Sequence, residues 1–290
     1  MPSTVTVKVP ATSANLGPGF DCVGLALDLW GSITLSRRGG HGERDAMATM
    51  AITAARRVYE KLGKTVPPLS AHYQGDIPIA RGLGASAIAR AGAVVAANAL
   101  TGDKLEADDL LAIAASLEGH ADNAAPAIFG GFQVTVSEGD FISRVSVPLP
   151  RGLSAVLFVP ELRMPTRESR KLLPESLSRA DVVHNSSRTA LLVAAIASGR
   201  FDLLNTATQD KLHQPARSAL FPEMFSIFDA ARDAGAHCAY LSGSGSTICA
   251  LATENAEAIG AAMSKAGTAN DAPGQTIISR PSAKGAEVVA

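Results

Sequence analysis

Pro78-Ile79-Ala80-Arg81-Gly82-Leu83-Gly84-Ala85-Ser86-Ala87 runs from loop residues directly into an alanine-rich segment that continues with Ile88 and Ala89. A loop that feeds a helix start offers free backbone N–H groups and the positive end of the helix dipole, and together these make a cradle for phosphate. Glycine suits positions 82 and 84, because the backbone must approach phosphate oxygens without an intervening Cβ and glycine is free to take up positive φ. The alternative is a tight turn ahead of a packed helix, which paired glycines also serve. Spacing disfavours three other loops. A P-loop lacks its lysine, the GxGxxG dinucleotide fingerprint fails at Ala87, and the GxSxG hydrolase elbow fails at Ile88. A second loop, Ser242-Gly243-Ser244-Gly245-Ser246, lies between two short apolar runs. It could bring backbone amides against phosphate or substrate, although Gly/Ser turns between strands are common.

The elements that must position these loops are an α and β mixture. Val5, Val7 and Val9 alternate as an opening strand that is expected to stop at Pro10, and a turn-rich linker, ATSANLGPGFD, leads to an apolar segment from Cys22 to Trp30. Helices are expected over 46–62, from the glycines to about Leu100, and from about Glu106 to Glu118. Strands are expected at LSAHYQ, Phe132–Val136, Phe141–Val147 and Ser154–Val159. The second half predicts helices near 187–199, 201–213, 222–234 and 254–266, with strands at Ala239–Leu241 and Thr247–Ala252. The pattern is α+β in two parts, 1–150 and 151–290, with a seam near residue 150.

The 290 residues, 47% of them hydrophobic, can fill a sizeable core. Basic and acidic residues number 26 and 27, a formal net charge of -1 without a run of one sign, so no nucleic-acid partner is expected. Cys22, Cys238 and Cys249 lack metal-ligand spacing and read as buried reduced thiols. The opening MPSTVTVKVP has no basic start followed by an apolar run, and no segment reads as a membrane span. A cytoplasmic address without membrane association is the expectation.

Taken together, three segments in order resemble the GHMP kinases, named for galactokinase, homoserine kinase, mevalonate kinase and phosphomevalonate kinase. VPATSANLGPGFDCVGLAL is similar to the family's first motif in its homoserine-specific form, GLGASA to the nucleotide-binding GLGSSA, and LSGSGSTICA to the carboxy-terminal glycine motif. A fourth segment, EGHADNAAPAIFGGF, is similar to the stretch around the metal and substrate residues. The resemblance implies a two-domain fold, with a left-handed βαβ unit in the amino-terminal, ATP-binding domain and a ferredoxin-like carboxy-terminal domain. It implies transfer of the γ-phosphate of ATP to a small-molecule hydroxyl, with L-homoserine as first choice of acceptor and a place in threonine synthesis. A homodimer is expected by analogy.

Residue by residue, the resemblance implies that Pro78 to Ala89 wrap the ATP phosphates and that Ser86 and Glu118 hold Mg²⁺, hard oxygen ligands that suit it. Read locally, Ser86 is equally a helix cap and Glu118 a solvated helix end. An amino-acid acceptor needs a cation for its carboxylate, and Arg170 and Arg217 match the family arginines that grip it. Asn15, Asp21, His120, Thr166 and Gly243 match the rest of the acceptor site. For a lone arginine the alternative is a solvated face, for His120 a satisfied loop histidine, and for Asn15 and Asp21 turn chemistry beside Gly17 and Gly19. Asp122, followed by Asn123, corresponds to a segment that carries an aspartate base in some members; alternatively it is a carboxylate that orders the loop. Two departures stand out: Ala85 replaces the first serine of GLGSSA, and Ser246 replaces the usual proline of the carboxy-terminal motif.

Overall fold

The computed structural model describes residues 2–38, 45–139 and 141–290. The chain builds two antiparallel sheets. The first takes β1 (Thr4–Ala14), β2 (Val23–Ser36), β3 (Ser70–Gln74), β4 (Phe132–Glu138) and β5 (Phe141–Val147). Val5, Val7 and Val9 point inward with alternate residues outward, the period-2 pattern of a strand that covers a core. That strand does not stop at Pro10. It continues to Ala14, because a register shift between Pro10 and Ala11 absorbs the missing N–H and the ladder to β2 resumes at Ala11 and Leu27.

One face of this sheet carries α1 (Ala46–Lys61), α2 (Ala85–Thr101), α3 (Ala107–Glu118) and α4 (Ala124–Phe129). Asp45 caps α1 by accepting the N–H of Ala48 at 2.6 Å. Alanine dominates α2 because that helix is buried almost all round, and small side chains let sheet and helices approach closely. A Cβ at Gly92 would sit 2.9 Å from Ile33 of β2. The expected helix over 46–62 and those ending near Leu100 and Glu118 are present, whereas α4 has no counterpart among the sequence expectations.

The second sheet has the order β7-β8-β6-β9. Its strands are β6 (Ser154–Pro160), β7 (Cys238–Leu241), β8 (Ile248–Ala252) and β9 (Gly274–Ser279). Between β6 and β7 come α5 (Thr166–Lys171), α6 (Arg179–Ser198), a 3-10 turn at Phe201–Leu203, α7 (Leu204–Ala207), α8 (Gln214–Arg217) and α9 (Met224–Asp233). Helix α10 (Ala256–Ala269) joins β8 to β9. The chain order βαββαβ with the first and third strands central is the ferredoxin-like arrangement. Along β6, Val156 and Phe158 pack with Met224, Ile227 and Ile259 of the helix layer, while Ala155, Leu157 and Val159 face the main core.

Expectation and structure part company at 201–213. Instead of one helix the chain breaks after Ala207, because the Asp210 carboxylate accepts the backbone N–H groups of Leu212, His213 and Gln214 at 2.9, 2.9 and 2.7 Å. Helix α6 also begins earlier than 187, at Arg179, where Ser178 accepts the N–H of Asp181. The chain finally returns to the first sheet: Pro281 bridges Leu27, and β10 (Glu287–Val288) pairs with β1. All three cysteines are free; Cys238 and Cys249 are buried and Cys22 half-buried. Among the described residues no helix is long and apolar enough to cross a membrane.

Gly17, after β1, ties the halves together. Its φ is +84°, and a Cβ there would lie 2.1 Å from the carbonyl oxygen of Thr208. Gly17→Ala is expected to lower unfolding free energy by about 1–3 kcal/mol from the positive φ, with the clash adding to it, as read from urea unfolding; an unchanged midpoint would contradict this packing.

Candidate active site

A cleft of about 370 Å³ opens where the ends of both sheets' elements meet. It is lined by the loop after β1 (Asn15, Asp21), the glycine loop (Ile79 to Ser86), the end of α3 and its successor turn (Glu118, His120, Asp122, Asn123), α5 (Thr166, Arg170), Arg217 of α8, and Gly243. Thus segments separated by two hundred residues converge. Pro78 does not line the cleft, and Ala87, Ile88 and Ala89 are fully buried inside α2, where they pack the helix rather than face a ligand. Four further residues line it: Met50, Pro165, Arg167 and Ser244. Arg167 and Ser244 stand inside segments the sequence marks, whereas nothing distinguishes Met50 from other apolar residues of α1.

The glycine loop is fixed from both sides. Gly82 and Gly84 have φ of +78° and +70°, as the need for a Cβ-free backbone requires. A Cβ on Gly82 would lie 2.1 Å from Ser242 O, and one on Gly84 2.0 Å from Thr12 Oγ1. Ser242 donates its hydroxyl to Gly82 O at 2.7 Å, Thr247 N–H donates to Arg81 O at 2.9 Å, and Thr12 N–H donates to Leu83 O at 3.2 Å. Helix α2 begins without a side-chain cap, so the first-turn N–H groups stay available to an anion. The two departures differ in consequence. Ala85 is buried and contributes no hydroxyl, while the hydroxyl of Ser246 donates to Leu162 O.

Ser86 and Arg90 share one face of α2 at a spacing of four, and Arg90 pairs with Glu118 at the end of α3. That ion pair brings the Glu118 carboxylate to the Ser86 side of the cleft. Glu118 is half-buried rather than a fully solvated helix end, and its Oε1 is buried against the Arg90 guanidinium. Ser86 and Glu118 both line the cleft, and a hydroxyl and a carboxylate are hard oxygen donors of the kind that suits Mg²⁺.

On the other side lie the charged groups suited to an amino acid. Arg170 grips Asp21 through two parallel bonds, Nη1 to Oδ2 at 2.9 Å and Nη2 to Oδ1 at 2.6 Å. Asn15 accepts the N–H of Asp21 at 3.1 Å and donates to Gly243 O at 2.8 Å. Arg217 is 1% exposed, not a solvated-face arginine. Its Nη1 donates to Gly243 O and His213 Nδ1, each at 2.9 Å, and its Nε has no partner. Burial, then the neighbouring Arg170, pull its pKa down to about 10. Phe20 lies beneath both guanidiniums, 5.2 Å from Arg170 and 5.5 Å from Arg217. Thr166 and Ser244 hydroxyls meet at 3.2 Å across the mouth.

His120 and Asp122 form a buried pair. Burial alone would lower the His120 pKa, but the hydrogen bond to Asp122 and the charges of Asp122 and Asp21 outweigh it and raise the value. Asp122 Oδ1 also accepts from Asn123 N at 2.9 Å and Nδ2 at 3.2 Å, and Asn123 in turn accepts from Thr12 Oγ1 at 2.8 Å. Side-chain atoms of Asp21, His120 and Asp122 lie within 4.8 Å of one another, a compact acidic corner. Cys22 beside it is no nucleophile: burial, then Asp122 and Asp21, push its thiol up to about 11.

The chain is similar to known proteins along nearly its whole length. The GHMP kinase N-terminal domain matches residues 49–131 and the GHMP kinase C-terminal domain residues 192–269. Homoserine kinase of Moorella thermoacetica is 42% identical over 270 residues, covering 90% of this chain and 91% of that one. Homoserine kinase of Carboxydothermus hydrogenoformans is 37% identical over 97% and 96% of the two chains. The crystal structure of homoserine kinase from Cytophaga hutchinsonii superposes with a TM-score of 0.89 at 31% identity, covering 100% of this chain and 98% of that one. Mevalonate diphosphate decarboxylase from Enterococcus faecalis, 17% identical with a TM-score of 0.73 over 99% and 98%, shares the fold alone. With matching domains in both halves and relatives of such identity along nearly the whole length, the chain belongs to the GHMP kinase family.

Proposed function

We propose that the chain transfers the γ-phosphoryl group of ATP to the side-chain hydroxyl of L-homoserine. The observation that carries this reading is the pair of guanidiniums, Arg170 and Arg217, stacked on Phe20 beside an acidic corner and facing the glycine loop in one cleft. A carboxylate docked on the arginines and an ammonium beside Asp21 leave a short side chain to point its hydroxyl toward the loop. The names of the relatives agree with that acceptor. A mevalonate-type acceptor has no ammonium to occupy the acidic corner, and loss of catalysis is disfavoured by Ser86 and Glu118, which both line the cleft.

The glycine loop and the uncapped start of α2 bind the ATP phosphates through backbone N–H groups. Ser86 Oγ and the Glu118 carboxylate would hold Mg²⁺, which neutralises charge on the phosphate oxygens. The acceptor oxygen forms its bond to the γ-phosphorus as the bond to the bridging oxygen breaks, and ADP leaves. Because the transition state is loose, holding the partners in line can supply roughly 7–11 kcal/mol without a strong base. Asp122 orders the loop in this account: its Oδ1 is already occupied by His120 and Asn123. The hydroxyl proton passes to phosphate oxygen or water.

ADP release with Mg²⁺-ATP and a panel of L-homoserine, L-threonine, L-serine, mevalonate and galactose tests the reading; strong stimulation by homoserine supports it, and silence throughout refutes it. Arg217→Leu should raise the KM for homoserine roughly a hundredfold while leaving the KM for ATP within about threefold. Asp122→Asn should keep turnover within about tenfold of the parent, and a loss beyond about a thousandfold would make Asp122 the base. The raised His120 pKa has a signed consequence for stability. The His120–Asp122 pair stabilises the fold fully below the unfolded value of about 6.5 and loses that effect as pH rises through the folded value. His120→Gln should therefore cost most in urea unfolding at acid pH, and progressively less toward alkaline pH.

A further inference from the structure

His213 stands four residues before Arg217 and its side chain is fully buried. Its Nε2 lies 2.7 Å from the carbonyl oxygen of Gly17, which can only accept, so Nε2 carries the proton. Its Nδ1 lies 2.9 Å from Nη1 of Arg217, which can only donate, so Nδ1 offers a lone pair. Both contacts are satisfied by one neutral tautomer and by no imidazolium. The ring also lies against Phe20 at a tilt of 36°, with centroids 5.4 Å apart, so Phe20 neighbours His213 and both guanidiniums. The charged groups that face His213 are Asp210, whose Oδ2 is 3.6 Å from Nε2, Arg217 on the following helix, and Asp21 from the loop after β1. Asp210 is committed elsewhere, to the N–H groups of Leu212, His213 and Gln214 and to the side chain of Asn185.

The geometry fixes one edge of the Arg217 guanidinium. Nη1 is held by His213 Nδ1 and Gly243 O, and Nε has no protein partner although Arg217 lines the cleft. We propose that His213 is a positioning residue for the acceptor: as a neutral ring anchored on Gly17, it holds Nη1 of Arg217 and so fixes the orientation in which the guanidinium meets the acceptor carboxylate. The inference rests on the reading that Arg217 binds that carboxylate. It makes acceptor binding sensitive to acid. A proton on Nδ1 replaces an acceptor by a cation beside Arg217, and burial, which comes first among the causes, holds the pKa of His213 down to about 4.

The test compares His213→Leu, His213→Gln and Arg217→Leu by steady-state kinetics of the full chain. His213→Leu should raise the KM for homoserine about tenfold or more, with kcat and the KM for ATP within about threefold. His213→Gln keeps an N–H for Gly17 and an oxygen for Arg217, so it should recover most of that loss. It should also lack the rise in homoserine KM that the parent shows as pH falls from 6 toward about 4. The double variant His213→Leu/Arg217→Leu should bind homoserine no worse than Arg217→Leu alone, since the histidine acts through the arginine. If Arg217→Leu raises the KM and His213→Leu leaves it within about twofold, the proposal falls while the reading of Arg217 stands. An unchanged KM in Arg217→Leu removes both. Should His213→Leu fail to fold, the pH profile decides: an acid rise retained in His213→Gln overturns the proposal.

Discussion

The carbonyl of Gly82 accepts the hydroxyl of Ser242 at 2.7 Å, and the rest of the cleft depends on that contact. Ser242 belongs to the second sheet's glycine loop and Gly82 to the first half, and neither backbone could come so close with a Cβ between them. Ser13 of β1 shares a hydrogen bond with Ser242 at 2.8 Å, and Gly243 N–H donates to Ala14 O at 2.9 Å. Three segments are thereby locked at one point. In the proposed reading, this lock keeps the phosphate-binding N–H groups of one half and the acceptor-binding groups of the other at a fixed separation, as in-line transfer requires.

A buried guanidinium is the second constraint. Charge so far from water is costly unless it is hydrogen-bonded or paired. For Arg217 the compensation comes from Gly243 O, His213 Nδ1 and the face of Phe20, with Asp21 beyond. None of these fully neutralises it, and its pKa stays down at about 10. In the proposed reading, a ligand carboxylate supplies what is missing. The Asp21–Arg170 and His120–Asp122 pairs set carboxylates and cations side by side in the same cleft.

Resemblance of its motifs to the GHMP kinases made much of this visible in the sequence, while the glycines by themselves left a phosphate cradle and a tight turn both open. Gly82, Gly84, Ser86, Glu118, Arg170 and Arg217 all reach the cleft as their motifs imply. Periodicity located most strands and helices, but it could not show that β1 passes through Pro10, since the bulge that permits this lies in the pairing with β2. Nor could it show the break after Ala207, which depends on one carboxylate that gathers three backbone N–H groups. Ala87, Ile88 and Ala89 follow the loop in sequence, yet the helix turns them inward. His213 carries no local mark at all; its meaning comes from Gly17, 196 residues away, and a contact of that separation leaves no periodic trace.

The most direct test of the account removes the acceptor's carboxylate and nothing else. Phosphorus NMR of product formation with L-homoserine and with 3-aminopropan-1-ol, at matched Mg²⁺-ATP, reads transfer to the same hydroxyl with and without the group that Arg170 and Arg217 are taken to bind. The account predicts a phosphorylated product from homoserine and a kcat/KM roughly a thousandfold lower for the amino alcohol. Equal turnover of the two, or transfer to neither, would contradict it.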